Sequence, residues 1–170
     1  MHKLFSEIIG LPVYDEYSPS PIAFVQDLII DPENGKVLAF LVKGRHIIVP
    51  LDVERISAGI FIRDREHILP ISEVLRVQSV LNLNIDIINS KVFTEKRKEY
   101  IGRSVDYEID TRDMILSRIH TAKTFFFFRF QERVIPYKQI VKIEKRAIFV
   151  KDNYATAKEK SSVRESAFAA

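Results

Sequence analysis

Four aspartates stand where this chain could most easily do acid–base or metal chemistry: Asp27 and Asp31, then Asp106 and Asp110. Four residues apart on an extended strand, at about 3.3 Å per residue, the carboxylates of each pair share a face but lie roughly 13 Å apart. Two carboxylates so far apart share neither a proton nor an ion. Asp31 and Asp110 instead begin turns, where an aspartate accepts from nearby backbone amides, and Asp27 and Asp106 satisfy a loop or strand edge. The run Asp31-Pro32-Glu33-Asn34-Gly35 resembles a calcium loop in part, but it lacks the alternating acids and the distal glutamate that close one. His2, His46, His67 and His120 form no pair at ligand spacing. No Gly-x-Ser-x-Gly elbow, phosphate loop or dinucleotide fingerprint occurs. The chain therefore reads as a non-enzyme, with no catalytic residue, no cofactor and no metal.

Recognition chemistry is better represented. Thr124-Phe125-Phe126-Phe127-Phe128-Arg129-Phe130 reads as one long strand, with Phe125 and Phe127 on one face and Phe126, Phe128 and Phe130 on the other. A small sheet covered on one side leaves one of these sets for something beyond its own fold. Arg129, Arg133, Lys142, Lys145 and Arg146 add cations to this region, and cations among aromatics are what single-stranded nucleic acid binding uses. Glu144 interrupts them, as a mixed-charge solvated face would. Phe126, Phe128, Phe130, Arg129, Arg133, Lys142, Lys145 and Arg146 are the expected partner-binding residues.

The elements that must position these groups are mostly strands. Ile22–Ile30 is apolar and strand-like, Asp31–Gly35 supplies a turn, and Val37–Val42 returns. His46–Val49 and Gly59–Arg63 are further strands, with a short turn or helical piece at Leu51–Arg55. Strands this short with turns this frequent predict a small barrel or sandwich. Ile71, Val74, Leu75, Val77 and Leu81 follow helical spacing after Pro70, so 70–82 is predicted as a helix packed on the first domain. Beyond Asp152 periodicity fades into a tail.

The chain is also written twice. Ile8–Tyr14 returns as Ile87–Phe93, and Asp27–Asp31 as Asp106–Asp110, both 79 residues later. Val49-Pro50-Leu51 matches Ile135-Pro136-Tyr137, and Ile60–Asp64 matches Ile148–Asp152. A repeat of this length is a whole small domain. It divides the chain into domains at 1–69 and 85–152, a helical linker at 70–84 and a tail at 153–170. The halves differ in charge: residues 1–82 carry 8 basic and 11 acidic side chains, and residues 83–170 carry 18 and 12. No cysteine is present, which excludes disulfides and thiolate metal sites and fits a reducing compartment. No apolar run is long enough for a membrane span, and Met1–Glu7 lacks a signal-peptide core.

The order Ile-Ile-Gly-x-x-Val, then Ala23-x-Val25-x-Asp27-Leu28-x-Ile30-Asp31-Pro32, an apolar strand, Val49-Pro50-Leu51 and Ile60-Phe61-Ile62-Arg63-Asp64 resembles the PRC-barrel domain. That family includes the barrel of photosynthetic reaction-centre H subunits and part of the ribosome-maturation factor RimM. In the second copy Gly102 takes the place of Ala23. The resemblance implies a mainly β protein of two tandem small antiparallel β-barrels joined by a helix-containing linker. The function it implies is that of a non-catalytic, cytoplasmic adaptor that docks a protein partner, with self-association into a homodimer compatible with it. The alternative is an RNA- or ribosome-associated maturation factor using the basic second barrel. The first half is itself PRC-like, whereas the maturation factor places a different barrel there, and the membrane helix of the H subunit is absent.

Overall fold

Short apolar runs between turn residues become short strands. The computed structural model describes residues 1–125 and 128–153, except for the side chains of residues 124, 125 and 128–130. In chain order the elements are β1 His2–Leu4, α1 Phe5–Ile8, β2 Pro12–Tyr14, β3 Ala23–Phe24, β4 Asp27–Ile30, β5 Val37–Val42, β6 His46–Ile48, β7 Val53–Ile56, β8 Ile60–Ile62, β9 Leu69–Pro70 and α2 Leu75–Asn82. They continue with β10 Lys91–Thr94, β11 Tyr100–Asp110, β12 Ile115–Phe125, β13 Phe128–Pro136, β14 Ile140–Glu144 and β15 Ala147–Val150.

By contacts the chain forms two units, Met1–Ile85 with Asp106–Ser117, and Asp86–Val105 with the chain from Arg118 on. Residues 106–117, expected in the second domain, thus belong to the first unit. Backbone bonds explain this placement. Val37 N donates to Met114 O and Leu116 N to Gly35 O, each at 2.8 Å, and β1 pairs antiparallel with the end of β11, His2 opposite Asp110.

The first unit holds two four-stranded sheets, ordered β3-β2-β8-β7 and β4-β5-β6-β9. Ile22–Ile30 is therefore not one strand. Val25 N bonds Leu11 O at 3.0 Å while Gln26 N bonds Leu41 O at 2.7 Å, so the chain changes sheets between these residues. Ile29, Ala39 and Ile47 face Ile71, Val77 and Val80 in one buried cluster. Leu28, Ile30, Phe40, Val42 and Ile48 alternate with that set and are buried too, so this sheet is covered on both faces. The expected 70–82 helix is shorter, and it buries Val77 and Val80 while Leu75 is exposed. Pro70 ends β9, Ile71–Glu73 makes a 3-10 turn, and α2 begins at Leu75.

Asp31 holds α2 to the turn after β4. It is 2% exposed and accepts from Arg76 Nη2 at 2.8 Å, Arg76 Nε at 3.1 Å, Glu33 N at 3.0 Å and Asn34 Nδ2 at 3.2 Å. Asp106 accepts from Tyr107 N at 2.8 Å and from Ser6 Oγ at 2.6 Å. Asp27 accepts from Leu28 N at 2.7 Å, and Asp110 accepts from Arg112 N at 2.8 Å. The four aspartates hold backbone and ion-pair positions.

Tyr107 stacks on Phe5, ring centroids 4.8 Å apart. Burial, then the charges of Asp27 and Asp106, push its hydroxyl well above the ordinary tyrosine value of 10.0. The folded state thus favours the neutral phenol. Stability from this group is complete below that ordinary value and is lost as pH rises above it toward the folded value, because the unfolded phenol ionises first. A Tyr107→Phe chain is expected to lose less thermal stability than the native chain above about pH 10. Melting both between pH 8 and 11.5 tests this, and parallel curves would remove Tyr107 as the cause.

In the second unit the strand order is β13-β12-β11-β10-β15-β14, with β11 and β12 entering through residues 100–105 and 118–125. Its pairings repeat those of the first unit. β2 is parallel to β8 and β10 to β15, while β7 and β14 return antiparallel on β8 and β15. Val13 lies opposite Ala23 as Val92 lies opposite Gly102. The chain is mainly β, and among the described residues no sheet closes on itself, so the two expected barrels are not established by the strand pairing. The expected single strand Thr124–Phe130 is also two strands, with Phe125 paired to Phe128 across β12 and β13.

Candidate interaction surface

Alternation sorts β10 and β15 cleanly. Val92 and Thr94, and Ile148 and Val150, are buried, which turns Phe93 and Phe149 to the other face, where they are partly exposed. Register then lines up a row across four strands. Tyr100 of β11 pairs with Phe93, Phe93 with Phe149, and Phe149 with Lys142 of β14. Phe93 lies 5.6 Å from Tyr100 and 6.1 Å from Phe149 between ring centroids, within the range where aromatic pairs attract. Tyr100 is 43% exposed.

Two ammonium groups sit on Phe149, Lys98 Nζ at 4.5 Å and Lys142 Nζ at 4.7 Å from the ring centroid. Both are at cation–π distance. Lys142 also meets Glu144 Oε1 at 2.7 Å. Lys98 forms no ion pair among the described residues.

The turn carrying Lys98 is tightly held. Thr94 N donates to Glu99 O at 3.0 Å, and Glu99 N donates to Thr94 Oγ1 at 2.9 Å. Asp152 Oδ1 accepts from Lys96 N at 3.1 Å and Arg97 N at 3.3 Å. Burial works to raise the Asp152 carboxyl, but the Arg97 and Lys96 amides outweigh it and hold the group below the usual aspartate value. Lys98 itself adopts φ +59°, a left-handed conformation uncommon for a lysine.

The first unit carries a matching row. Arg55 of β7 pairs with Phe61 of β8, and Phe61 with Tyr14 of β2. The rings are 5.3 Å apart, and the Arg55 guanidinium lies 4.1 Å from the Phe61 centroid. Each cation follows a one-residue bulge, at Glu54 in β7 and Val141 in β14.

The structure brings few of the expected binding residues together. Phe126 lies outside the described residues. Phe128, Arg129 and Phe130 belong to β13, but their side chains are not described. Arg133 is half-buried on β13 opposite Thr121. Lys145 and Arg146 are exposed in the turn between β14 and β15. Only Lys142 joins the row. Sequence reading passed over Lys98, Phe93, Tyr100 and Phe149. Their signal lay in the expected repeat, which sets Phe93 at the place of Tyr14 and Phe149 at that of Phe61.

The first unit is a small mainly β domain of two sheets with one helix packed on the second. Residues 2–75 match the PRC-barrel domain family, and the chain contains a PRC-barrel domain there. No curated protein matches the chain. No helix among the described residues is long and apolar enough to cross a membrane.

Proposed function

We propose that this protein is a non-catalytic adaptor of the cytoplasm. In this reading its second unit is a diverged second copy of the PRC-barrel domain, and it binds a protein partner on the outer face of β11, β10, β15 and β14. The row Tyr100–Phe93–Phe149–Lys142 carries this reading. Exposed aromatics with a polar, charged margin are the composition of protein interfaces. The shared pairing order and the shared bulges support treating the units as two copies. RNA binding through the basic half is the weaker reading. Phe149 already carries two ammonium groups, so its face offers no free platform for a base.

The test is capture of partners from an extract of the source cells, with and without nuclease, by the native and the Phe149→Ala chains. A protein partner that survives nuclease and is lost with Phe149→Ala is the expected result. Partners that vanish with nuclease, or that Phe149→Ala retains while folded by circular dichroism, sink the proposal.

A further inference from the structure

The same row stands on two units of opposite charge. The first unit has 9 basic and 15 acidic side chains, and the second has 17 and 8. Their rows differ in one respect that matters for recognition. After Tyr14 the chain runs Asp15-Glu16-Tyr17, whereas after Phe93 it runs Thr94-Glu95-Lys96-Arg97-Lys98. Only the second row therefore gains a second cation on its central ring.

The local backbone places Lys98 there. Its left-handed conformation is held by Asp152 on two preceding amides and by the two Thr94–Glu99 bonds. Lys142 has Glu144 as its counter-ion, but Lys98 has no carboxylate within ion-pair distance among the described residues. An ammonium on a ring face still points its remaining N–H donors outward, so Lys98 offers a fixed cation beside an exposed aromatic.

Resting on the adaptor reading, we infer that the second unit's row takes an acidic segment of the partner protein: an Asp or Glu carboxylate seats on Lys98 beside Lys142, and an apolar side chain lies against Tyr100 and Phe93. Charge complementarity selects the acidic occupant, because the second unit without residues 154–170 has 14 basic and 6 acidic side chains, net +8. The first unit's row, with Arg55 as its single cation in a net −6 unit, serves as an internal control of the same geometry.

The experiment is fluorescence anisotropy on the full chain with two labelled probes, a random glutamate–tyrosine copolymer and an oligouridylate, at low and moderate salt. The copolymer is expected to bind the native chain. Lys98→Glu and Lys142→Glu are expected to weaken it about tenfold or more, and Arg55→Glu less than about twofold. Circular dichroism confirms that each variant is folded, and Phe149→Leu, which keeps bulk but removes the ring, provides a second variant with the same expected loss. Absence of copolymer binding overturns the inference, as does a folded Lys98→Glu chain that binds unchanged, or an Arg55→Glu loss as large as that of Lys98→Glu. Tighter, Lys98-dependent binding of oligouridylate also overturns it and assigns the seat to phosphate. The two levels separate in the capture experiment. A Lys98→Glu chain that keeps its nuclease-resistant partner ends the acidic seat alone, whereas a native chain with no such partner ends the adaptor reading.

Discussion

Gly102→Ala is expected to cost the second unit about 1–3 kcal/mol, enough to lower the thermal midpoint by several degrees. A Cβ at this position would lie 2.8 Å from Ala122 O and 3.0 Å from Ala122 C. Both atoms are backbone of β12, so no side-chain rotation relieves the contact, and the strands must separate. The φ of +157° adds strain for any residue with a Cβ. Gly10→Ala is the control. It also has a positive φ, +82°, but its added Cβ would meet nothing within 4 Å, so only the left-handed penalty of about 1 kcal/mol applies. Urea titrations followed by circular dichroism compare the two chains. A Gly102→Ala midpoint equal to that of Gly10→Ala or the native chain would contradict the close approach of β11 to β12.

Asp31→Ala is expected to destabilise the first unit by about 2–4 kcal/mol. The substitution strands the Glu33 amide in a partly buried turn, and it removes the carboxylate that receives Arg76 on Nη2 and Nε. With it goes the link between α2 and the turn after β4. Asp31→Asn keeps an acceptor for Glu33 N and is expected to lose less. Arg76 is half exposed and also meets Glu33 at 2.7 Å, and hydrogen bonding to Asp31, then to Glu33, raises its already high pKa. Because Asp31 and Arg76 serve one contact, the Asp31→Ala/Arg76→Ala chain is expected to be less destabilised than the sum of the single variants. Full additivity in urea unfolding would mean that the pair does not couple helix to sheet.

Much of the fold was legible because its causes are local. Pro32, Asn34 and Gly35 favour a turn through their own backbone preferences, and the flanking apolar runs become β4 and β5. The four aspartates kept their expected backbone duties for the same reason, since each accepts from an amide one or two residues ahead. The sheet switch at Val25–Gln26 was not legible. An apolar run looks alike whether its amides bond one neighbour throughout or change partners midway. The phenylalanine run misled reading in the same manner: strand propensity spans Thr124–Phe130, but pairing sets Phe125 opposite Phe128.

The candidate surface shows the same division. The expected repeat aligned Tyr14 with Phe93 and Phe61 with Phe149 without singling them out, and alternation on each strand turns them away from their buried neighbours. Composition alone made the second half basic and denied the chain disulfides. What the tertiary structure decided was adjacency. Tyr100, Phe93, Phe149 and Lys142 come from four strands spread over more than forty residues, and only the parallel pairing of β10 with β15 makes them neighbours. Lys98 reaches its ring because Asp152, far along the chain, holds its turn. Local sequence specifies which way a side chain points on its strand, but which strand lies beside it depends on hydrogen bonds made across the whole sheet.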